Sequence, residues 1–276
     1  MGKRKRKISC GRYTAEYVFS RVTRYDCPKA RAEKRHHTSQ VQQALNDKNA
    51  LIYNAAVIAG TFIDDSSAQF VTLTFDREHY PEGRAGEVRS SCRRQLANFI
   101  ARAQRLASRR GTAFAYGWAE GVGEAGRLHF HLLSKGLSRE DLITVWGLGN
   151  VDTHYLRGDT AFLTGRDWCC QGRRDVNPEA IARYMIDNAK PLRKVGGRLI
   201  HFSRNCTRPE VSESRPVPDG YRLEAPEDCV TCDQRSERTM YSDCAFVSYL
   251  RQPPRRAGRR RKPRGKAPSD LGGVIS

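Results

Sequence analysis

Residues 121–133 read GVGEAGRLHFHLL, and the way this stretch folds decides how the rest of the chain is read. Gly121, Gly123 and Gly126 satisfy the G-x-G-x-x-G pattern of dinucleotide-binding loops. That pattern cradles a pyrophosphate only when a helix N-terminus follows the glycines. Here they lead into RLHFHLL, whose alternation of polar and apolar side chains predicts a strand. The preceding TAFAYGWAE (112–120) predicts another. The stretch is therefore the turn of an antiparallel hairpin, with glycines at positions that need positive φ.

Strand alternation places His129 and His131 on one face, close enough to share a metal ion. Leu128, Phe130 and Leu132 fill the opposite face, expected to pack on helices. The partner strand brings Glu120 alongside the histidines as a third ligand, with Glu124 in the loop as the alternative. Two imidazoles and one carboxylate with open positions suit a catalytic divalent ion, Mg²⁺ or Mn²⁺. A closed structural zinc would need four protein ligands.

Working outward, AQFVTLTFD (68–76) is rich in β-branched and aromatic residues and predicts a buried strand. A helix follows over about 87–108, with Val88, Cys92, Leu96, Phe99, Ile100, Ala103 and Leu106 in one apolar stripe. SREDLITVWG (138–147) predicts a helix capped by Ser138, and NVDTHYLRG (150–158) a fourth strand. NPEAIARYMIDNAK (177–190) is a helix with Asn177 as cap and Pro178 at its first position. Another helix is expected near 41–58. From residue 68 the order β, α, β, β, α, β, α predicts an α+β fold, an antiparallel sheet with helices packed on one face. Residues 1–45 read as a basic, irregular extension, 46–205 as the catalytic domain, and 206–250 as a Cys-containing segment. Residues 251–276 read as a disordered Arg-rich tail.

Lys and Arg total 49 of the 276 residues against 30 acids, a net charge of +19. Such an excess works against compactness unless a polyanion neutralises it, and nucleic acid is the expected partner. The longest apolar stretch, NAAVIAGTF (54–62), falls well short of the ~20 residues a bilayer requires, so no membrane role is expected. The opening MGKRKRKISC has no apolar signal region and lacks a myristoylation pattern. Nine cysteines without a secretory signal point to a reducing compartment. Cys229-x2-Cys232 has ligand spacing, with Cys206 and Cys244 as completions of a structural zinc site. The second close pair of a zinc ribbon is missing, so free thiols are the favoured reading.

FVTLTFD (70–76), AEGVGEAGRLHFHLL (119–133) and NPEAIARYMIDNAKP (177–191) together resemble the three ordered motifs of the HUH endonucleases. The likeness is nearest to rolling-circle replication initiators of small single-stranded DNA phages and plasmids. It covers about residues 68–205 and rests on the order and spacing of the motifs. WGLGNVDTHYL (146–156) resembles a segment common between the second and third of them. The resemblance implies His129 and His131 as metal ligands, Glu120 as the third, and Tyr184 as a nucleophile that forms a 5′-phosphotyrosine. It also implies an origin of replication as substrate, a host helicase and polymerase as partners, and the bacterial cytoplasm as location.

Many of these proteins carry a second tyrosine or a lysine within one helical turn of the first, and this chain departs from that pattern. Asp187 and Asn188 stand three and four residues after Tyr184, so a one-tyrosine mechanism is expected. Asp187 shares the tyrosine's face as an accessory group, whereas Lys190 lies about 240° round the helix. DNA contacts are expected from Arg93, Arg94, Arg102 and Arg105, and from Arg193, Lys194 and Arg198. Two rival readings remain open. One is a single-tyrosine transposase or relaxase. The other is a non-enzymatic protein that binds single strands on exposed aromatics of its sheet, drawn from Tyr116, Trp118 and Phe130.

Overall fold

The hairpin centred on residue 125 forms the middle of a five-stranded antiparallel sheet, in a computed structural model that describes residues 2–20, 40–170, 175–193, 197–218, 220–238 and 243–252. In chain order the elements are β1 (Lys3–Cys10), β2 (Tyr13–Ser20), α1 (Gln40–Thr61), β3 (Gln69–Leu73), α2 (Ala85–Arg109), β4 (Ala115–Val122), β5 (Leu128–Lys135) and α3 (Arg139–Trp146). There follow β6 (Val151–Tyr155), α4 (Thr160–Gly165), α5 (Pro178–Ala189), β7 (His201–Phe202), β8 (Glu210–Val211), β9 (Arg215–Val217), β10 (Cys229–Arg238) and β11 (Asp243–Arg251). The α+β class expected from the sequence is the class observed.

The central sheet has the order β6-β3-β5-β4-β7, which sets the two longest strands, β4 and β5, beside each other. Both of its faces are covered, not one. Val71, Leu73, Phe130 and Leu132 pack with Cys92, Leu96, Phe99 and Ala103 of α2 and with Leu142 and Trp146 of α3. Phe70, Ala115, Ala119 and Leu133 point the other way, into a cluster with α1 and α5. The expectation of helices on one face fails because α1 and α5 lie outside the β–α–β core in sequence and return to its second face. Burying each large core side chain, Phe99 or Phe130 for example, contributes about 1.5–3 kcal/mol.

Beyond α1 and α5 lies a second sheet, of order β10-β11-β2-β1-β8 with β9 also pairing with β1. This corrects the reading of residues 1–45 as irregular over 3–20 and 40–45, while 21–39 lie outside the described residues. Lys3–Ser20 form a hairpin in full register, Lys3 opposite Ser20 and Cys10 opposite Tyr13. β2 then pairs with β11 near the other end of the chain. KRKRK at 3–7 shows no apolar alternation, and two of its cations are partnered: Lys5 Nζ meets Glu16 at 2.6 Å and Arg4 donates to Ser214. Tyr13, Ala15, Val230, Phe246 and Leu250 pack on the same helices as the central sheet does. Tyr13 adds a buried hydrogen bond, its hydroxyl donating to Glu179 of α5 at 2.6 Å. Of the tail expected to be disordered, residues 253–276 lie outside the described residues. Among the described residues no helix is long and apolar enough to cross a membrane.

Candidate active site

His129 and His131 stand on the face of β5 that looks toward α5, as alternation requires. Their Nε2 atoms converge to 3.1 Å. His131 is buried beside Phe70, with ring centroids 5.5 Å apart, and its Nδ1 lies 3.4 Å from Thr72 Oγ1 on β3. Burial depresses both imidazoles. His129 is held below its ordinary value, and His131 is held down to about 3 by burial, by the neighbouring His129 and by the charge of Arg166, against a hydrogen bond with Asn188. Burial thus favours the neutral form of both rings, the form in which an imidazole nitrogen can bind a cation.

Gly121 faces His129 across the hairpin. A Cβ there would sit 2.4 Å from His129 Nε2, so the glycine serves close approach. Of the three glycines assigned to the turn, only Gly126 has positive φ, at 73°. The positive-φ explanation holds for that residue and not for Gly121 or Gly123. The turn itself is closed by Gly123 N–H donating to Arg127 O and Gly126 N–H donating to Gly123 O.

Tyr184 arrives from α5, which begins where the Asn177 side chain accepts from the Glu179 and Ala180 N–H groups, with Pro178 in the first turn. Its half-buried ring lies 5.0 Å from that of His131, 5.9 Å from Phe70 and 5.2 Å from Trp168. Asn188, one turn further on, donates from Nδ2 to the Tyr184 carbonyl at 2.9 Å and also meets His131. The sequence had put Asp187 in this role. Asp187 instead projects to solvent and takes an ion pair from Lys190 at 2.6 Å, so neither accessory candidate is at the site.

Glu120 is not a companion of the histidines. It is opposite Phe130 in the register, while Ala119 and Gly121 oppose His131 and His129. A residue directly across an antiparallel pair shares its partner's face, so Glu120 points to the α2 side of the sheet. There it is buried and bound by Arg89 (2.6 Å) and Arg93 (2.6 Å). Burial alone would raise its carboxyl. The hydrogen bonds from Arg93 and Arg89 outweigh that and leave it below the ordinary value. Glu124, the alternative, is exposed in the turn. Among the described residues no three His, Cys, Asp or Glu side chains converge on a point.

The arginines divide by function. Arg93 is committed to Glu120, and Arg102 caps the end of α3 by donating to Val145 O and Trp146 O. Arg94 and Arg105 are exposed on α2, across the sheet from the histidines. Arg193 pairs with Asp47 at 2.7 Å, Arg198 is exposed, and Lys194 lies outside the described residues. The four cysteines proposed for zinc are scattered. Cys206 is buried against Ser203 and the Tyr116 carbonyl at the edge of the central sheet. Cys229 and Cys232 pack on opposite sides of the second sheet, and Cys244 pairs with Phe19 in the register. Two residues the sequence did not single out do belong to the site. Asn188 was legible as the residue one turn after Tyr184, while nothing in the local sequence marked Arg166, whose guanidinium lies over the Tyr184 ring at 5.1 Å.

Residues 68–166 match the family model of the replication-associated protein ORF2/G2P. The similarity is to proteins of DNA replication. It runs from β3 through the end of α4 and so takes in both histidines and Arg166, while Tyr184 lies beyond it. No curated protein and no solved structure matches the chain.

Proposed function

We propose that this chain initiates rolling-circle replication as a metal-dependent, single-strand DNA nicking and joining enzyme with Tyr184 as its nucleophile. The observation that carries this reading is the approach of the Tyr184 ring to within 5.0 Å of His131, across elements more than fifty residues apart in the chain. The similarity of residues 68–166 to replication-associated proteins supports the substrate class.

In the reaction, Tyr184 Oη attacks the scissile phosphorus and the bond from phosphorus to the 3′ oxygen breaks. The phenol proton leaves to solvent, and the departing 3′ oxygen takes a proton to become a hydroxyl. One phosphodiester is exchanged for a 5′-phosphotyrosine ester, so the strand can be rejoined without another energy source. The free 3′ hydroxyl can prime synthesis. His129 and His131 are the residues that would hold Mg²⁺ or Mn²⁺. Their nitrogens are 3.1 Å apart, matching the ~3 Å between adjacent ligands about 2.1 Å from one ion. When bound, such an ion supplies positive charge against the scissile phosphate.

Around this chemistry Phe70 and Trp168 hold the nucleophile's ring edge-on and limit its rotation. Asn188 ties the tyrosine's helix to His131. On this reading the partners are an origin in single-stranded form, a host helicase and a polymerase. Exposed arginines such as Arg94 and Arg198 contribute salt-sensitive, sequence-independent contacts. Of the aromatics a passive stacking platform would use, His201 stacks on Trp118 at 4.3 Å, Tyr116 packs beside Phe114 at 5.6 Å and Phe130 is fully buried, which disfavours that reading.

The test is incubation with Mn²⁺ and labelled single-stranded DNA from a random-sequence pool, resolved on denaturing gels. The expected result is a covalent protein–DNA band that disappears in Tyr184→Phe and on chelation. A band that survives both would remove Tyr184 and the metal from the mechanism.

A further inference from the structure

Arg166 is a cation at the site that the reaction as written does not use. It is the residue that ends α4, and it is exposed. Its guanidinium carbon lies 5.0 Å from the Phe162 ring centroid, 5.4 Å from Trp168 and 5.1 Å from Tyr184. Among the described residues no carboxylate lies within ion-pair distance of it. Elsewhere in the fold Arg89, Arg93, Arg193 and Arg12 each sit on an acid, and what sets Arg166 apart from the other unpaired arginines is that three rings hold it.

The backbone explains how the arginine comes to be there. Asp167 has φ 55°, and it is the one non-glycine residue with positive φ among those described. A side chain in the left-handed region is disfavoured, and such residues gather where the fold requires a particular geometry. Here the turn lets Trp168 N–H reach back to Leu163 O at 2.9 Å and Asp167 N–H to Thr164 O at 3.1 Å. The chain reverses within three residues and lays Arg166 and Trp168 together on Tyr184. Phe162 is fixed in turn by stacking on His154 at 3.7 Å, and His154 is held by Asp159 at 2.7 Å and Asp152 at 3.1 Å. Three rings thus restrict a guanidinium whose charge is not neutralised by an acid.

We propose that Arg166 binds a non-bridging oxygen of the phosphate that Tyr184 attacks. The proposal rests on the reading of Tyr184 as nucleophile. A guanidinium offers two parallel N–H donors that match a phosphate edge, where an ammonium offers a point charge. Contacts with aromatic faces hold the cation without consuming those donors, and they cost little desolvation at an exposed site. Each additional negative charge that collects on the phosphate oxygens as the new bond forms strengthens the interaction, so the contact favours the transition state over bound substrate. Arg166 comes from the end of α4 and the two histidines from β5, so its charge would act independently of any ion they would hold.

The competing role is a purely structural one, a cation capping an aromatic cluster, and the experiment separates the two. Wild type, Arg166→Ala, Arg166→Lys and Tyr184→Phe are compared in two assays. The first is binding to labelled oligothymidylate across a salt series, and the second is the single-turnover rate of adduct formation on a random-sequence single-stranded pool at saturating DNA. Arg166→Ala is expected to slow adduct formation by about 100-fold. It should also reduce the dependence of log affinity on log salt by about 1. Arg166→Lys should recover the salt dependence and only part of the rate, while Tyr184→Phe should form no adduct and keep the wild-type salt dependence. An Arg166→Ala protein that matches wild type in both assays, with only its melting temperature lowered, overturns the proposal. If wild type forms no Tyr184 adduct and Arg166→Ala still loses its unit of salt dependence, the nucleophile is wrong and the phosphate contact stands. If neither effect is seen, both fall.

Discussion

The two faces of the central sheet carry the same kinds of residue to different ends. On one face the buried His131 and the half-buried His129 stand without a carboxylate, their nitrogens 3.1 Å apart and His131 beside a tyrosine. On the other, one residue away along β4, Glu120 is buried with two arginines. On the proposed reading the first arrangement receives an ion and a phosphate. The second holds its carboxylate with two guanidinium groups and so joins α2 to the sheet. A buried carboxylate already held by two guanidinium groups has no reason to release them for a metal. Proximity in sequence to a catalytic pair therefore says little about a shared role. The parity of the strand decides.

The comparison can be broken most decisively on the histidine face. His131→Ala should lower adduct formation per folded molecule at least about 1000-fold, with some loss of stability besides, since the ring is buried against Phe70 and Tyr184. A fall of less than tenfold would deny the pair its role. Next is Gly121→Ala, whose methyl would meet His129 Nε2 at 2.4 Å. A displaced imidazole should cost about 100-fold in rate, with circular dichroism unchanged, and an alanine enzyme of normal rate would contradict the close-approach account.

On the Glu120 face the expected effect is on stability. Glu120→Gln should cost about 2 kcal/mol in denaturant unfolding, because hydrogen bonds to charged groups are lost while the half-exposed arginines can regain water. Its rate per folded molecule should be unchanged, and a collapse of activity without loss of stability would return Glu120 to the metal. The pH dependence follows from the depressed carboxyl. Because Glu120 is held below its ordinary value in the folded chain, the unfolded chain binds the proton more readily. Its contribution is present above about pH 4.5 and fades as the pH falls through the folded value, so Glu120→Gln should flatten the acid limb of a stability–pH curve. The smallest effect is expected from the exposed pair Asp187 and Lys190. Their double alanine variant should change stability by less than about 1 kcal/mol and the rate by less than about twofold.

What was legible in the sequence follows the strength of each periodic signal. The hairpin, α2, α3 and α5 carried clear periodicity and caps such as Ser138 and Asn177, and they stand where expected. The shared face of the histidine pair needed only the period of a strand, whereas Tyr184 was singled out by the resemblance and not by its helix. Glu120 was misplaced because its face depends on the register of two strands, and a shift of one residue reverses every side chain. The second sheet went unseen because its strands come from both ends of the chain and β1 presents cations, not alternating apolar residues. Arg166 could not be found locally at all. Its position comes from the turn at Asp167 and from three rings assembled out of α4, α5 and the segment between them.

The most direct test of the account is to map the covalent linkage. Protein incubated with Mn²⁺ and the single-stranded pool would be digested with nuclease and protease, and the nucleotide-bearing peptide sequenced by mass spectrometry. The account predicts a nucleotide on Tyr184, in the peptide that contains Tyr184-Met185-Ile186, and none when chelator is present. A nucleotide on Tyr155, which is exposed on β6, or on any other residue would contradict it.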